Sequence, residues 1–292
     1  MDSQINQESQ IEIRELTANG MSFRCRVCGM NNTGEAVILL HGFPETSHMW
    51  EGVLQFLASQ GYRCLAPDQR GYSPGSRPQD VNSYRIDEIA SDIVALADAV
   101  GFQKFHLVGH DWGAGCGWTL IQFYSDRVHT FSALSIPHLA AFRTAKNTDS
   151  EQKKRSWYID FFQLPLIPEI IFTMIIAIAP SGFWSHSTKA EVAEYVSVFR
   201  RFDALQGIIN WYRANQNFDL EYGEVFVPTT MIWGNKDIAI ARAGMEMTKQ
   251  YMKGDYKFIE LDAGHNLVQE QFEPVTQAIL ERLQRVSNTN TI

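Results

Sequence analysis

Short apolar runs and longer stretches of helical periodicity alternate in two blocks along this chain. Aliphatic and β-branched runs occupy residues 35–42, 62–68, 104–110 and 130–136 in the first block, and residues 227–237 and 256–265 in the second. Residues 88–101 instead repeat apolar positions every three to four residues and end at Gly101, which is typical of an amphipathic helix. This alternation predicts an α/β fold with a mostly parallel sheet and helices on both faces.

A segment of different character separates the two blocks. Residues 138–222 are rich in aromatic side chains, carry no alternating strand pattern and indicate helices. We therefore predict one parallel sheet whose two halves are interrupted by a helical cap over the edge where the strands end. The predicted organisation is a first core part at residues 1–137, the helical cap at 138–222 and a second core part at 223–292.

The most apolar part of the predicted cap lies at residues 164–180. Its uninterrupted apolar run extends only from Ile170 to Ala179, whereas a spanning helix needs about 20 such residues, so we predict no membrane span. We interpret the stretch as a helix buried in the fold or at a subunit contact, in preference to an element lying on a membrane surface. The sequence is therefore also compatible with a homodimer.

Composition and charge exclude several classes of protein. With 292 residues, 45% of them hydrophobic, the chain can bury one large core and an inserted subdomain. The formal net charge of -8, with no basic block longer than residues 153–155, argues against a nucleic-acid partner. The polar residues 1–10 carry no targeting pattern, so we expect a cytoplasmic location. The "CRVC" at residues 25–28 lacks a second ligand pair, so neither a metal nor another cofactor is expected.

The candidate chemistry centres on residues 109–113, "GHDWG", which follow an apolar run. Catalytic groups in an open parallel sheet gather at the carboxyl ends of its strands. The glycines at 109 and 113 permit a sharp strand-to-helix turn that projects the central side chain, which is the geometry of a nucleophile elbow. We therefore predict that Asp111 is the nucleophile, at a position where many hydrolases carry serine.

A literal G-x-S-x-G match competes with this assignment at residues 71–75, "GYSPG". Pro74 lacks the backbone N–H that an oxyanion hole takes from the residue after the nucleophile. The match also follows a turn and not a strand, so we do not assign Ser73 as a nucleophile.

The aspartate predicts a class of substrate. Its carboxyl group is ionised at neutral pH and needs no base to activate it. Attack on an ester or amide carbonyl would give a reactive anhydride, whereas attack on a saturated carbon gives an ordinary ester. We therefore expect an alkylating substrate, and epoxides and alkyl halides are the two common classes.

Hydrolysis of that ester needs a base and a group that orients the base. His265, in "DAGHN", and Asp237, in "WGNKD", each follow a predicted strand, and their order after Asp111 is the order expected for this elbow. The stretch "LLHGFPETSHMW" should bring the backbone N–H of Phe43 beside that of Trp112, so that the pair forms an oxyanion hole. A turn at Pro44 with a cis peptide bond is compatible with this prediction.

The motifs HGFP, DQRGYSP, GHDWGAG, WGNKD and AGHN, in that order, resemble those of epoxide hydrolases with the α/β-hydrolase fold, from about Glu35 to Pro274. The resemblance implies two tyrosines in the lid that bind the epoxide oxygen, and these match Tyr158 in "WYIDFFQ" and Tyr212 in "NWYR". It also implies a small apolar epoxide and water as substrates and no cofactor. Asn266 departs from the family, which commonly has an aromatic residue there.

Two alternatives stay open at this point. Haloalkane dehalogenases share the elbow, although many of them have a polar residue that contacts the halide where this chain has Phe43. A departing halide needs no proton, whereas an alkoxide does, and the two tyrosines would supply it. A non-catalytic ligand-binding protein with the α/β-hydrolase fold is the alternative from another class, and the complete set of nucleophile, acid and base disfavours it.

Overall fold

The structure is a computed structural model, and it describes residues 10–216 and 220–287. Residues 1–9, which supplied most of the polar segment without a targeting pattern, lie outside the described residues. The same is true of residues 217–219 near the end of the predicted cap, and of residues 288–292.

Eight strands form one sheet within the part of the chain that the structure describes. The strands are β1 (Glu12–Ala18), β2 (Met21–Cys28), β3 (Ala36–Leu40), β4 (Arg63–Pro67), β5 (Phe105–His110), β6 (Val128–Leu134), β7 (Thr229–Gly234) and β8 (Tyr256–Leu261). Their order is β1-β2-β4-β3-β5-β6-β7-β8, and all neighbours from β4 to β8 pair in parallel. The prediction of a mostly parallel sheet is confirmed, and each of the six apolar runs overlaps a strand.

The antiparallel strands at one edge of the sheet were not predicted from the sequence. Strands β1 and β2 form a hairpin, and β2 pairs antiparallel with β4. The turn of the hairpin is Asn19-Gly20, with φ of 48° and 75°, and an Asn-Gly pair is a strong sequence signal for a two-residue hairpin turn. The signal was therefore present in the sequence.

Helices cover both faces of the sheet. They are α1 (Glu51–Ser59), α2 (Ile86–Ala99), α3 (Trp112–Phe123), α4 (Leu139–Thr148), α5 (Ser150–Arg155), α6 (Trp157–Phe161), α7 (Ile167–Ile178), α8 (Pro180–Phe183), α9 (Lys189–Phe199), α10 (Phe202–Ala214), α11 (Arg242–Thr248), α12 (Leu267–Glu270) and α13 (Phe272–Ser287). Two buried apolar clusters lie on opposite faces, one with α2 and α3 and the other with α1 and α13. Cys25 belongs to the first cluster and Cys28 to the second, as expected for strand positions three apart.

The helices α4 to α10 lie between β6 and β7 in the chain, and we call them the inserted helices. They contact the loops that follow the sheet strands. The indole N–H of Trp184 donates to Pro44 O at 2.8 Å, and that of Trp211 donates to Arg70 O at 2.8 Å. These contacts place the inserted helices over the carboxyl edge of the sheet. The bounds of the cap at 138–222 stay a prediction.

Helix α7 differs from its prediction. Of the two interpretations of residues 164–180, burial within the fold is wrong for most of the surface of α7, because Ile170, Met174 and Ile178 are exposed by 53%, 56% and 78%. A subunit contact stays a prediction. Only one narrow side, with Phe172 and Ile176, packs inward. The apolar composition of residues 164–180 was therefore not evidence that their side chains are buried. Among the described residues, no helix is long and apolar enough to cross a membrane.

Candidate active site

Four loops meet at the carboxyl edge of the sheet. Phe43 follows β3, Asp111 follows β5, Asp237 follows β7 and His265 follows β8. Parallel strands end on the same side of a sheet, so residues far apart in sequence come into contact there. The structure thus brings together the predicted nucleophile, acid, base and one predicted N–H donor.

Asp111 occupies a strained backbone conformation, with φ of 51° and ψ of -124°. Such positive φ values are unfavourable for residues other than glycine, and they persist where the surrounding structure fixes them. The close packing of the turn does so here. A Cβ atom on Gly113 would lie 2.1 Å from the carbonyl oxygen of Leu40, and one on Gly109 would lie 2.4 Å from that of Gly113. Only glycine fits at these two positions, which explains the bracket seen in the sequence.

Two backbone N–H groups face the Asp111 carboxylate. The Phe43 N–H donates to Oδ1 at 2.8 Å, and the N–H of Trp112 also hydrogen-bonds the carboxylate. Gly42 permits this approach, because a Cβ atom there would lie 2.3 Å from that of Asp111. The Phe43–Pro44 peptide bond is cis. The pair of donors can stabilise a negative oxygen on this side chain.

Asp111 is ionised in this environment. Burial alone would raise the pKa of its carboxyl group, but the hydrogen bond and charge of His265, the charge of His110 and the Trp112 N–H outweigh burial and lower the pKa below its usual 3.8. The side chain is therefore a carboxylate, the form that a nucleophile requires.

His265 bridges the two carboxylates. Its Nε2 lies 3.3 Å from Asp111 Oδ2, and its Nδ1 lies 2.7 Å from Asp237 Oδ2. The other oxygen of Asp237 accepts the backbone N–H groups of Ala239 at 2.8 Å and Ile240 at 3.0 Å. Burial acts to lower the pKa of His265, but the charges of Asp237 and Asp111 raise it well above 6.5. The resting cluster is therefore an imidazolium between two carboxylates.

The inserted helix α5 supports the acid, a contact that the sequence analysis missed. Arg155 donates to Ile240 O at 2.9 Å and also to Asp237 O. Gln152 donates to Ala239 O at 2.9 Å and accepts the N–H of Ala241 at 2.8 Å. In the sequence, Arg155 counted only as part of a short basic block. No local pattern could have revealed its partners, which lie more than 80 residues away.

His110 and Ser135 fix the backbone of the base. The Nε2–H of His110 donates to His265 O at 2.8 Å, and the Ser135 hydroxyl donates to the same oxygen at 3.0 Å. The ring centroids of His110 and His265 are 5.0 Å apart. His110 lies inside the quoted "GHDWG", so a histidine at the end of an apolar run, directly before the predicted nucleophile, was the available signal.

Tyr158 of α6 and Tyr212 of α10 face Asp111 from the inserted helices. Their ring centroids are 6.0 Å apart, and Tyr212 packs on Trp112 with centroids 5.0 Å apart. Burial, together with the charge of Asp111, raises the pKa of both phenols above their usual 10. Both side chains therefore keep their proton at all ordinary pH values and can donate it.

An apolar cavity of about 320 Å³ opens between the sheet edge and the inserted helices. Asp111, His265 and both tyrosines line it, together with an aromatic wall formed by Phe43, Trp157, Phe161, Phe162, Phe172 and Phe183. Asn266 also lines it, so the departure from the family motif lies in the cavity wall. The cavity suits an apolar ligand and leads it to the carboxylate.

Ser73 has a structural role. Its hydroxyl is buried, donates to Asp68 O at 2.7 Å and accepts the N–H of Arg24 at 2.9 Å. Ser73 does not line the cavity beside Asp111. Among the described residues, no group of three or more His, Cys, Asp or Glu side chains is arranged to hold a metal ion.

Comparisons with known proteins agree with this architecture. Residues 35–271 match the family described as the alpha/beta hydrolase fold. The chain is 32% identical to the AB hydrolase superfamily protein YfhM of Bacillus subtilis, over 94% of this chain and 98% of that protein. It is also 32% identical to Epoxide hydrolase A of Mycobacterium tuberculosis, over 92% of this chain and 96% of that protein.

The solved structures include close relatives of the same fold. The epoxide hydrolase VrEH1 from Vigna radiata superimposes with a TM-score of 0.80 and 28% sequence identity, covering 96% of this chain and 100% of that one. The sheet order, the elbow and these similarities lead to one conclusion. The chain belongs to the α/β-hydrolase fold family, in the group that contains these epoxide hydrolases.

Proposed function

We propose that this protein is an epoxide hydrolase, which converts an apolar epoxide and water into a vicinal diol through an ester on Asp111. The observation that carries the proposal is that the phenols of Tyr158 and Tyr212 line the same cavity as the Asp111 carboxylate. Opening an epoxide produces an alkoxide, which needs a proton from such an acid. The names of the epoxide hydrolase relatives support the same reaction.

The first half-reaction forms the ester. Oδ1 of Asp111 is held by the Phe43 N–H, so the attacking atom is Oδ2, which faces His265. It forms a bond to one epoxide carbon while the bond from that carbon to the epoxide oxygen breaks. The released electron pair stays on the oxygen, which takes a proton from Tyr158 or Tyr212. The inserted helices supply these acids and exclude bulk water, and so act as a cap domain.

The ester changes the state of the base. Esterification removes the negative charge of Asp111, one of the two charges that raise the pKa of His265. The imidazolium then loses its proton more readily, and a proton is needed to restore the phenol. The neutral imidazole that results, oriented by Asp237 at 2.7 Å, can act as a general base.

The second half-reaction hydrolyses the ester. His265 takes a proton from water, and the oxygen of that water attacks Cγ of Asp111. The negative charge that develops on Oδ1 lies against the N–H groups of Phe43 and Trp112. Collapse of this intermediate expels the diol, whose leaving oxygen takes the proton from His265. The carboxyl group of Asp111 then gives its proton to His265, which restores the carboxylate and the imidazolium. Asp111, His265 and Asp237 thus form the proposed catalytic triad.

The test is to trap the ester. In His265→Gln, the carboxylate can still attack but no base activates water, so the protein should gain the mass of one intact epoxide. Asp111→Ala is the matched control and should gain none. An unmodified His265→Gln protein after proven binding of an epoxide would contradict the covalent route.

Two parallel assays separate the alternatives. The wild-type protein should form diol from an apolar epoxide and release no halide from a bromoalkane of similar size. Halide release without diol formation would indicate a dehalogenase. Binding of both ligands with neither reaction would indicate a non-catalytic ligand-binding protein.

We further propose that the exposed face of α7 joins two copies of this chain. No charged side chain is exposed along residues 164–178, because Glu169 is buried and paired with Arg213 at 2.6 Å. The exposed apolar side chains are Leu164, Leu166, Ile167, Ile170, Ile171, Met174, Ile175 and Ile178. These eight side chains are exposed by 37% to 78%, and a contiguous apolar patch of this kind marks an interaction site. The absence of basic residues from this segment disfavours an anionic membrane as the partner.

A further inference from the structure

A second, much smaller cavity lies on the far side of the proposed reacting groups. Asp111, Tyr158 and Tyr212 line both this cavity and the large one, so these three side chains form the boundary between them. The small cavity measures about 30 Å³, against about 320 Å³ for the large cavity by the same measure. A volume of this size holds about two groups as large as a water molecule or a methyl group.

The other walls of the small cavity are apolar and mostly buried. They consist of Ile136, Leu139, Phe142, Ile159 and Ile240, together with Trp112 and Gly115 of the elbow helix α3. An apolar substituent is therefore the only kind that the small cavity accepts without leaving a polar group unpaired.

The backbone behind these walls is fixed by hydrogen bonds. The Trp118 indole N–H donates to Ile136 O at 2.9 Å. Ile240 is held on both sides, by Asp237 Oδ1 at its N–H and by Arg155 at its carbonyl oxygen. Widening the small cavity would break contacts that also hold the acid loop, so we expect its size to limit the ligand.

The geometry of an epoxide directs its two carbons to different cavities. In the proposed reaction, the epoxide oxygen lies at the tyrosine hydroxyls and one ring carbon lies at Asp111. The trans substituents of the two ring carbons point away from each other. Since the same three side chains border both cavities, one substituent must enter the small cavity and the other the large one.

We infer that the substrates are epoxides with a long apolar group on one carbon and hydrogen, methyl or ethyl on the other. This inference rests on the proposed function, because it locates the epoxide by Asp111 and the two tyrosines. Terminal epoxides and those near a chain end are accepted. Trans epoxides in the middle of a long chain are excluded, because a propyl or longer group exceeds the small cavity.

The experiment is a homologous series of one terminal epoxide and three trans-disubstituted epoxides. Each carries a pentyl group on one ring carbon, and the other carbon carries hydrogen, methyl, ethyl or propyl. We expect similar kcat/KM for the first three and a decrease of at least about tenfold for propyl, since pocket size discriminates single methylenes by factors of about 10 to 200. Equal kcat/KM across the series would overturn the inference while leaving the proposed function intact. No diol from any member would instead count against the proposed function.

Variants of the cavity walls test whether the small cavity sets the size limit for the second substituent. Phe142→Ala and the milder Phe142→Leu enlarge it, and both should raise the kcat/KM ratio of the propyl to the methyl epoxide at least about fivefold. Phe183→Ala enlarges the large cavity instead and should leave that ratio unchanged. The inference is wrong if Phe183→Ala relieves the discrimination, or if a folded Phe142→Leu protein keeps the wild-type ratio.

Discussion

Asp111 and His265 carry opposite charges in the resting site, and each side chain shifts the pKa of the other. The carboxylate stabilises the imidazolium, and the imidazolium stabilises the carboxylate, at a separation of 3.3 Å. The first step of the proposed reaction removes this ion pair, because the Asp111 carboxylate becomes an uncharged ester.

The base should change its pKa during the reaction. In the free enzyme, Asp237 and Asp111 together raise the pKa of His265 well above 6.5 against the opposing effect of burial. In the ester, only Asp237 is still charged, so the pKa should be lower. Ester hydrolysis needs neutral imidazole, so its rate should rise with pH and reach a plateau. Its midpoint should lie below the pH at which His265 titrates in the free enzyme.

This prediction is checked by two measurements. Stopped-flow single turnovers give the pH midpoint of ester hydrolysis, and the imidazole proton signals in NMR give the titration of the free enzyme. Asp237→Asn should lower both midpoints, since it removes the remaining charge. Coincident midpoints in the wild-type protein would mean that Asp111 does not control the base.

The two tyrosines should share the proton transfer. Tyr158→Phe or Tyr212→Phe alone leaves one donor at the alkoxide, and we expect kcat to decrease by about tenfold to a hundredfold. The double variant removes both and should lower kcat by at least about a thousandfold, within the range for general acid catalysis. Tyr195→Phe is the matched control, because this buried tyrosine of α9 lines neither cavity. Normal epoxide turnover by the double variant would refute the assignment.

At the scale of elements, the turn between β5 and α3 depends on close backbone contact. The carbonyl oxygen of Leu40, at the end of β3, occupies the space where a side chain on Gly113 would lie. Helix α3 can begin directly after Asp111 only because this contact is possible. The strained φ of Asp111 and the glycine at 113 are therefore parts of one packing arrangement.

Two glycines of α3 should respond oppositely to alanine. In Gly113→Ala, the new Cβ would lie 2.1 Å from Leu40 O, so β3 or α3 must shift, and the free energy of unfolding should decrease by at least about 2 kcal/mol. In Gly115→Ala, the nearest atom is 3.5 Å away, which is an ordinary contact. Helix propensity then favours alanine by up to about 1 kcal/mol.

Urea unfolding followed by circular dichroism measures both free energies. A Gly113→Ala protein as stable as the wild type would show that the elbow tolerates a side chain at this position. A large loss of stability in Gly115→Ala would show that α3 as a whole, and not the single contact with Leu40, excludes alanine.

At the scale of the whole molecule, the exposed face of α7 is a contiguous apolar surface. Its eight apolar side chains are exposed by 37% to 78%, and such patches mark interaction sites. Phe172, on the inner side of the same helix, lines the large cavity. A contact between two copies at α7 would therefore also hold one wall of each cavity.

The proposed dimer is tested by adding charge to this face. The wild-type protein should sediment as a dimer at micromolar concentration, and Ile170→Glu/Met174→Glu should sediment as a monomer, because four buried carboxylates would face each other. Ile13→Glu/Phe226→Glu places the same charges on two other exposed apolar side chains and should leave the dimer intact. A monomeric wild-type protein that binds neutral lipid vesicles would assign the α7 face to a membrane instead.

Features that depend on near neighbours could be predicted from the amino-acid sequence. The six apolar runs, the helix at 88–101 and the glycine bracket around Asp111 follow from local periodicity and local sterics, and the structure contains all of them. Asp111, Asp237 and His265 each follow a parallel strand. This was enough to predict that their side chains meet, because parallel strands end at one edge of the sheet. The Asn19-Gly20 hairpin was equally readable but was missed.

Features that depend on contacts between distant segments could not be predicted before the fold was known. Arg155 contacts the carbonyl oxygens of Asp237 and Ile240, more than 80 residues away, and no local pattern encodes such a pair. The exposed side of α7 could not be read either, because an apolar helix gives the same sequence signal whether the fold or a partner covers it. The unequal volumes of the two cavities arise from side chains of several elements packed together, and a volume is a property of that packing and not of any one segment.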